Sequence, residues 1–409
     1  MGDAIKYEQF VDILNEEMKR NGETDFLARL QKVWDLYLDF IANGIKFTYY
    51  NALTSMREEY TFFASRLRPS IQNKCDNVKK IITTYLTGDI KGSIELLERN
   101  IIYDKALQYY IKYDYLKSDG YYYRLRSIDK ADDKRKPQPY EPLALFHMPF
   151  ELRGRVSTNR YSIPGYPCLY LGKSIYVCWE EMRRKDINAY AVVAMQCAKD
   201  IRLLDLRLTR KFHTSADCKA FLTMLPLIIA CGMQVNNDED QFKPEYILPQ
   251  LLLHTVLLNK QRMKLAKEND KDDGIQYKTY KGIIFTSSVV DHKYNVTGNR
   301  YELNDCIVLP ALSHTHITKG WSPDLVETMS ISEPYVFAEL EFLKDMQNYH
   351  ANILKSDAIP AAEKTDDIYK GSYFYSVEKL LQQSTFKTAA DLIKERDAKL
   401  IKKEETNTI

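Results

Sequence analysis

Phe26, Leu30, Val33, Tyr37 and Ile41 recur at the spacing of one helical face, and Asn43-Gly44 follows with a stop signal. The same texture continues from Asn51 to Arg68 until Pro69, from Ile71 to Leu86 before Gly88, and then over about 89–100. An all-helical N-terminal module over residues 1–115 is therefore expected. Near Tyr121 the texture changes to short β-prone runs separated by helical or charged stretches. The runs are Tyr121–Ser127, Cys168–Gly172, Tyr190–Cys197, Ile201–Leu206, Gly282–Phe285 and Cys306–Leu309. This predicts an α+β domain over 116–330, with exposed loops at Asp129–Pro139 and Lys264–Asp273. From Glu333 helical texture returns, and after a break at Pro360–Asp367 a helix is expected over about 376–403, making 331–409 a helical C-terminal extension.

With 45% apolar residues in 409, the chain can bury one large core or two ordinary ones. Its 58 Lys and Arg against 56 Asp and Glu give a net charge of +2, so no global field draws it to nucleic acid. The seven cysteines are scattered without a CxxC pair, which predicts reduced thiols in a cytoplasmic setting rather than a disulfide frame or zinc site. The apolar stretches Phe221–Met233 and Tyr246–Leu258 are each about 13 residues and carry a proline, short of the roughly 20 a membrane span needs. No signal peptide or myristoylation pattern opens the chain. The first histidine is His147, so the N-terminal module is read as non-catalytic. The 30 tyrosines are read as amphipathic closure of a large core.

The informative window runs from Phe146 to Met182. A turn rich in Gly and Pro (Pro164, Gly165, Pro167) leads into the strand Cys168–Leu171, and Gly172 hands the chain to a helix with Ser174 as its expected N-cap. Arg160-Tyr161 precede the turn, Tyr170 lies in the strand, Glu180 and Glu181 lie in the helix, and Thr286-Ser287-Ser288 closes a later strand. This order resembles the RES domain family, named for its Arg, Glu and Ser. The shared pattern is Arg-aromatic, a Gly/Pro turn, Leu169-Tyr170-Leu171-Gly172, Glu181 about eleven residues after Tyr170, and the Thr-Ser-Ser strand end. The resemblance covers roughly residues 121–314. It implies an ADP-ribosyltransferase-like fold and a bacterial toxin of a toxin–antitoxin pair that attacks NAD, by degrading it or by transferring ADP-ribose. The N-terminal module similarly resembles the HEPN-like domain attached to some RES proteins.

The implied chemistry suits these residue types. Cleavage of the bond between ribose and nicotinamide passes through an oxocarbenium-like cation, which a fixed carboxylate stabilises. A guanidinium fork matches the pyrophosphate, a tyrosine can cover the nicotinamide ring, and a serine hydroxyl can orient ribose or phosphate. The resemblance thus implies Glu181, or Glu180 one residue earlier, with Arg160 and Ser287 as catalytic groups. Arg160, Tyr161, Tyr170, Ser287, Arg124 and His147 would bind NAD, and no metal is called for. At about 100° per residue, an apolar stripe of Ile175, Cys178, Trp179 and Met182 puts Glu181 roughly 110° and Glu180 roughly 150° from its centre, so Glu181 is expected nearer the buried edge.

Plainer roles stand beside these. Arg153, Arg155 and Arg124 compete with Arg160 for phosphate, His147 fits a hydrogen-bonded core position as well as a pocket, and Tyr170 fits a core. His314-Thr315-His316 places two imidazoles on one strand face, but no carboxylate or cysteine lies at ligand spacing, so it is read as structural. An antitoxin or other inhibitory protein is implied by the resemblance alone, a homodimer is left open, and nucleic acid enters only as an ADP-ribose acceptor. A non-catalytic binding protein is the rival from outside enzymology.

Overall fold

The computed structural model describes residues 4–19, 25–51, 54–62, 67–102, 113–128, 141–208, 211–268, 280–290, 301–311, 319–340 and 367–407. Strands in chain order are β1 (Ile5–Lys6), β2 (Ile45–Asn51), β3 (Met56–Phe62), β4 (Tyr113–Leu116), β5 (Tyr122–Ser127), β6 (Cys168–Gly172), β7 (Tyr190–Cys197), β8 (Ile201–Leu206), β9 (Gly282–Thr286), β10 (Asp305–Pro310), β11 (Met329–Ser332), β12 (Tyr335–Val336) and β13 (Phe386–Thr388). The protein is a mixed α+β molecule of two compact units. The first comprises 1–114, 158–163 and 204–288; the second comprises 115–157, 164–203 and 289–409.

In the first unit, the helix Phe26–Asn43 starts at Asp25, whose carboxylate accepts from the Leu27 and Ala28 amides, and ends at Gly44 with φ 99°. Pro69 opens the next helix, Arg68–Leu86, instead of closing the previous element, because a proline in the first turn lacks only an N–H that would be orphaned anyway. The module is not all-helical. β2 and β3 pair antiparallel, with β1 parallel to β2. Tyr60 and Phe62 recur with period two, and Ile45 and Phe47 do the same on the partner strand, where both are fully buried. Helical periodicity, read over Asn51–Arg68, was the wrong template for β3, and ion pairing of Lys46 with Glu59 at 2.8 Å reinforces the strand register.

The core of this unit is the helix Ser215–Gly232, capped by the Thr214 hydroxyl. It is long and apolar enough to cross a membrane, yet 72% of it is buried within the fold, as for a core helix. Pro226 cannot donate to the Leu222 carbonyl four residues back. Tyr37 supplies the missing donor, its hydroxyl reaching that carbonyl at 2.6 Å, while the Trp34 indole donates to the Pro226 carbonyl at 3.2 Å. Two of the abundant aromatics thus satisfy backbone as well as filling volume. The helix Ile247–Glu268 runs through part of the expected Lys264–Asp273 loop, and β9, β8 and β4 pair in that order.

The second unit holds strands in the order β13-β11-β7-β5-β6-β10, with β12 also on β7. Its central strand β7 is buried at almost every position. Residues 331–409 are not simply a helical extension: β11, β12 and β13 belong to the sheet, β13 pairing antiparallel with β11. The single helix expected over 376–403 is two, Tyr373–Gln383 and Ala389–Asn407. Extended Ser384 ends the first, and the Thr388 hydroxyl caps the second by accepting from the Asp391 amide. Asp129–Pro139, residues 269–273 of the second expected loop, and the His314/His316 pair lie outside the described residues.

Candidate functional site

The strand–turn–helix passage forms as its sequence implies. β6 ends at Gly172, Ser174 is extended (φ −142°, ψ 157°) and its hydroxyl accepts from the Val177 amide, so the helix Ile175–Glu181 starts within three residues of the strand. Gly172 makes this close passage feasible. A Cβ there would lie 2.5 Å from Cys178 Sγ, 2.6 Å from Val177 Cγ1 and 2.9 Å from the Ser174 carbonyl oxygen.

The carboxylates on this helix sit the other way round from expectation. Glu180 is buried (1% exposed) and Glu181 is exposed. The buried face is set by Ile175, Tyr176 and Val177, and Glu180 follows the last two at helical spacing. Cys178 and Trp179, assigned to the stripe from sequence, are only half-buried. Glu180 Oε2 takes the Arg184 Nε at 2.8 Å, and Oε1 finds no hydrogen-bond partner among the described residues. The next turn places Arg183 and Arg184 at φ 60° and 51°, a left-handed conformation that is strained for side chains of this kind. Glu181 Oε1 lies 3.8 Å from Cys306 Sγ on β10. Burial pushes the Cys306 thiol well up, with Glu181 adding to it, and burial followed by Glu378 pushes Cys178 up to about 12. Both are neutral thiols, unsuited to nucleophilic attack.

Arg124, on β5, donates from Nη1 to the Tyr170 carbonyl at 3.0 Å, and its buried Nε has no hydrogen-bond partner among the described residues. Desolvation, then Arg126, lowers its pKa to about 10. It remains a cation near neutrality, in a setting that favours an anion nearby. The Tyr170 side chain is half-buried. His147 is 1% exposed; its Nε2 accepts from the Ser322 amide at 3.0 Å, which leaves Nδ1–H to donate to the Met148 carbonyl at 2.9 Å. Desolvation, outweighing that bond, takes its pKa down to about 4, with Arg124 contributing. These contacts make His147 a latch for the segment at Ser322. Arg153 stacks over the Phe150 and Tyr166 rings, and Arg155 is exposed.

Arg160, Tyr161, Ser287 and Ser288 belong to the first unit. Arg160 donates from Nη1 to the Cys231 carbonyl at 2.8 Å and from Nη2 to Ser288 Oγ at 3.0 Å, and lies over the Tyr246 ring at 5.3 Å. Cys231 is in the last turn of Ser215–Gly232, so the guanidinium meets an orphaned carbonyl at the negative end of a helix. Tyr161 is buried with its ring 4.4 Å from that of Phe285 on β9. Ser287 is buried, and it is Ser288 that meets Arg160. The structure therefore joins Arg160 to the end of β9 in one unit, and Arg124 to Tyr170 in the other. Tyr246 carried no local signal, being 86 positions from Arg160. Among the described residues no group of three His, Cys, Asp or Glu side chains is arranged to hold a metal ion, and none of the seven cysteines forms a disulfide.

The chain is 27% identical over 381 residues to a Bacillus subtilis (strain 168) protein named "Putative toxin YopC", an alignment covering 88% of this chain and 76% of that protein. No family model matches the chain, and no solved structure matches it.

Proposed function

We propose that this protein is a toxin that consumes NAD, cleaving the bond between nicotinamide and ribose in an ADP-ribosyltransferase-like RES domain. The observation that carries the reading is the β6 passage. It sets Tyr170 on a strand, turns at a glycine that admits no side chain, and presents two consecutive carboxylates on the helix that follows. The similarity to the B. subtilis protein supports the toxin part of the reading.

In this reading nicotinamide leaves with the electrons of the C–N bond, and the Glu181 carboxylate stabilises the ribosyl cation that develops. Water attack gives ADP-ribose and a proton; phosphate attack gives a phosphorylated ADP-ribose. A protein or nucleic-acid nucleophile in their place makes the same chemistry an ADP-ribosyl transfer. Glu181 suits the role better than Glu180 because it is an exposed residue, with Cys306 Sγ 3.8 Å from its Oε1, whereas Glu180 is buried against Arg184. A guanidinium holds the pyrophosphate. Arg124, which bonds the Tyr170 carbonyl, is the candidate within the same unit, its buried Nε having no hydrogen-bond partner among the described residues, whereas Arg160 is engaged by Cys231, Ser288 and Tyr246 in the other unit. Tyr170 covers the nicotinamide ring. Control by an inhibitory protein accompanies the toxin reading.

One observation favours a non-catalytic binding protein instead, namely that Arg160 and Glu180 both have structural partners. Incubating the purified protein with NAD, with and without phosphate, and identifying the products decides between them. Nicotinamide with ADP-ribose means hydrolysis, a phosphorylated ADP-ribose means phosphorolysis, and modified macromolecules from an extract mean transfer. NAD left intact in every arm overturns the enzymatic reading.

A further inference from the structure

The helix Ile175–Glu181 begins in a buried clamp supplied from 203 positions later in the chain. Glu378, 4% exposed, accepts the Ile175 amide at 2.7 Å and the Tyr369 hydroxyl at 2.6 Å, both on Oε1. Ser174, fully buried, takes the Val177 amide at 3.0 Å and donates to the Leu303 carbonyl at 2.6 Å. Two of the amides that a helix start leaves orphaned are thus held by side chains, one of them by a carboxylate. Glu378 rides on the helix Tyr373–Gln383, which packs on the Ile175–Glu181 helix through Phe374, its ring 5.7 Å from Tyr176 and 5.5 Å from Trp179. Burial and Glu378 keep the Tyr369 hydroxyl protonated, so it remains a donor.

A charged side chain on the apolar face of its own helix needs a reason. Phe374, Val377 and Leu381 are buried at helical spacing with Glu378 among them. Glu378 is buried, and its hydrogen bonds with the Ile175 amide and the Tyr369 hydroxyl serve the start of the helix and the tyrosine that braces it. The helix has only seven residues, so its direction and rotation are fixed by its first turn and by the close approach at Gly172.

We propose that Glu378 is a positioning residue, which by holding the Ile175 amide fixes the rotation of the Ile175–Glu181 helix and so the bearing of the Glu181 carboxylate. This rests on the reading that Glu181 takes part in NAD cleavage. A carboxylate that must face a transition-state cation tolerates little displacement, since about 1 Å of misplacement can cost on the order of 100-fold in rate.

The test uses full-length Glu378→Gln and Glu378→Ala proteins, read by steady-state NAD cleavage and by amide hydrogen exchange. Gln keeps an acceptor oxygen for Ile175 and Tyr369, and is expected to hold kcat within about threefold of wild type; Ala removes it and is expected to lower kcat about 10- to 100-fold with KM for NAD nearly unchanged. Exchange at Ile175 and Val177 should accelerate at least about tenfold in the Ala protein, while the Ser215–Gly232 helix keeps its protection. A role confined to stability would lower the unfolding midpoint and leave kcat per folded molecule unchanged, and that result overturns the proposal. So does wild-type exchange at Ile175 in Glu378→Ala. If Glu378→Ala does not fold, Tyr369→Phe removes one of the two bonds, and a kcat loss smaller than about tenfold with intact KM is expected; unchanged kcat there overturns the proposal. An inactive wild-type protein whose Glu378→Ala form still exchanges faster at Ile175 means that the NAD reading has failed and the clamp has not.

Discussion

Arg160 in the first unit and Arg124 in the second carry the same guanidinium into opposite electrostatic surroundings. Arg160 meets the carbonyl end of a buried helix, a serine hydroxyl and a tyrosine face, all of which stabilise a cation. Arg124 is desolvated beside Arg126, bonds the Tyr170 carbonyl, and has a buried N–H without a hydrogen-bond partner among the described residues. The first charge is compensated by the fold, while the second is less so among the described residues. An arginine in a motif can therefore be a strut, and one outside it can be the better anchor for an anion.

The largest expected effect tests whether the second unit's carboxylate does chemistry at all. Glu181→Gln keeps the shape and loses the charge, and is expected to lower the rate of NAD cleavage roughly 100- to 1000-fold, about 3 to 4 kcal/mol, with NAD binding largely kept. If Glu180→Gln loses turnover and Glu181→Gln does not, the register is off by one. The next separates the two arginines. Arg160→Ala leaves the Cys231 carbonyl without its donor, and urea unfolding should show a loss of about 2 kcal/mol. Arg124→Ala should instead weaken NAD binding by calorimetry about 10- to 100-fold, with a smaller stability loss than Arg160→Ala because it gives up one backbone bond and relieves a desolvated charge. A stability loss at Arg124 and none at Arg160 would invert the comparison.

The surroundings of Arg124 can also be read through His147. Its folded pKa of about 4 lies below the unfolded value, so the unfolded chain binds the extra proton between the two. The stabilisation is present above about pH 6.5 and is lost progressively as pH falls toward about 4. His147→Gln should flatten that part of the stability profile. The smallest effect sharpens the pairing: Arg124→Ala removes a nearby positive charge, so the His147 midpoint measured by NMR should move upward. An unmoved midpoint would show that burial alone sets it.

By itself the sequence determined the local elements whose signals are local. The strands β5 to β10, the Ser174 cap, the stop at Gly44 and the Gly172 passage follow from propensity, capping and the steric needs of a short turn. It was silent or misleading where partners are remote. Asn51–Arg68 read as helix because a short apolar run satisfies either period, and pairing between β2 and β3 decides it for Met56–Phe62. The facing of Glu180 and Glu181 turned on which side of a seven-residue helix is covered, and that depends on Phe374 and Glu378 some two hundred positions away. Arg160 could be singled out from its motif, but its bond to the last turn of Ser215–Gly232 could not, because only folding brings Cys231 to it. Glu378 did leave a trace in the sequence, a charge at a buried helical position among Phe374, Val377 and Leu381. What that charge serves was decided by tertiary structure, since a buried carboxylate is tolerable only where the fold supplies its donors, here the Ile175 amide and the Tyr369 hydroxyl.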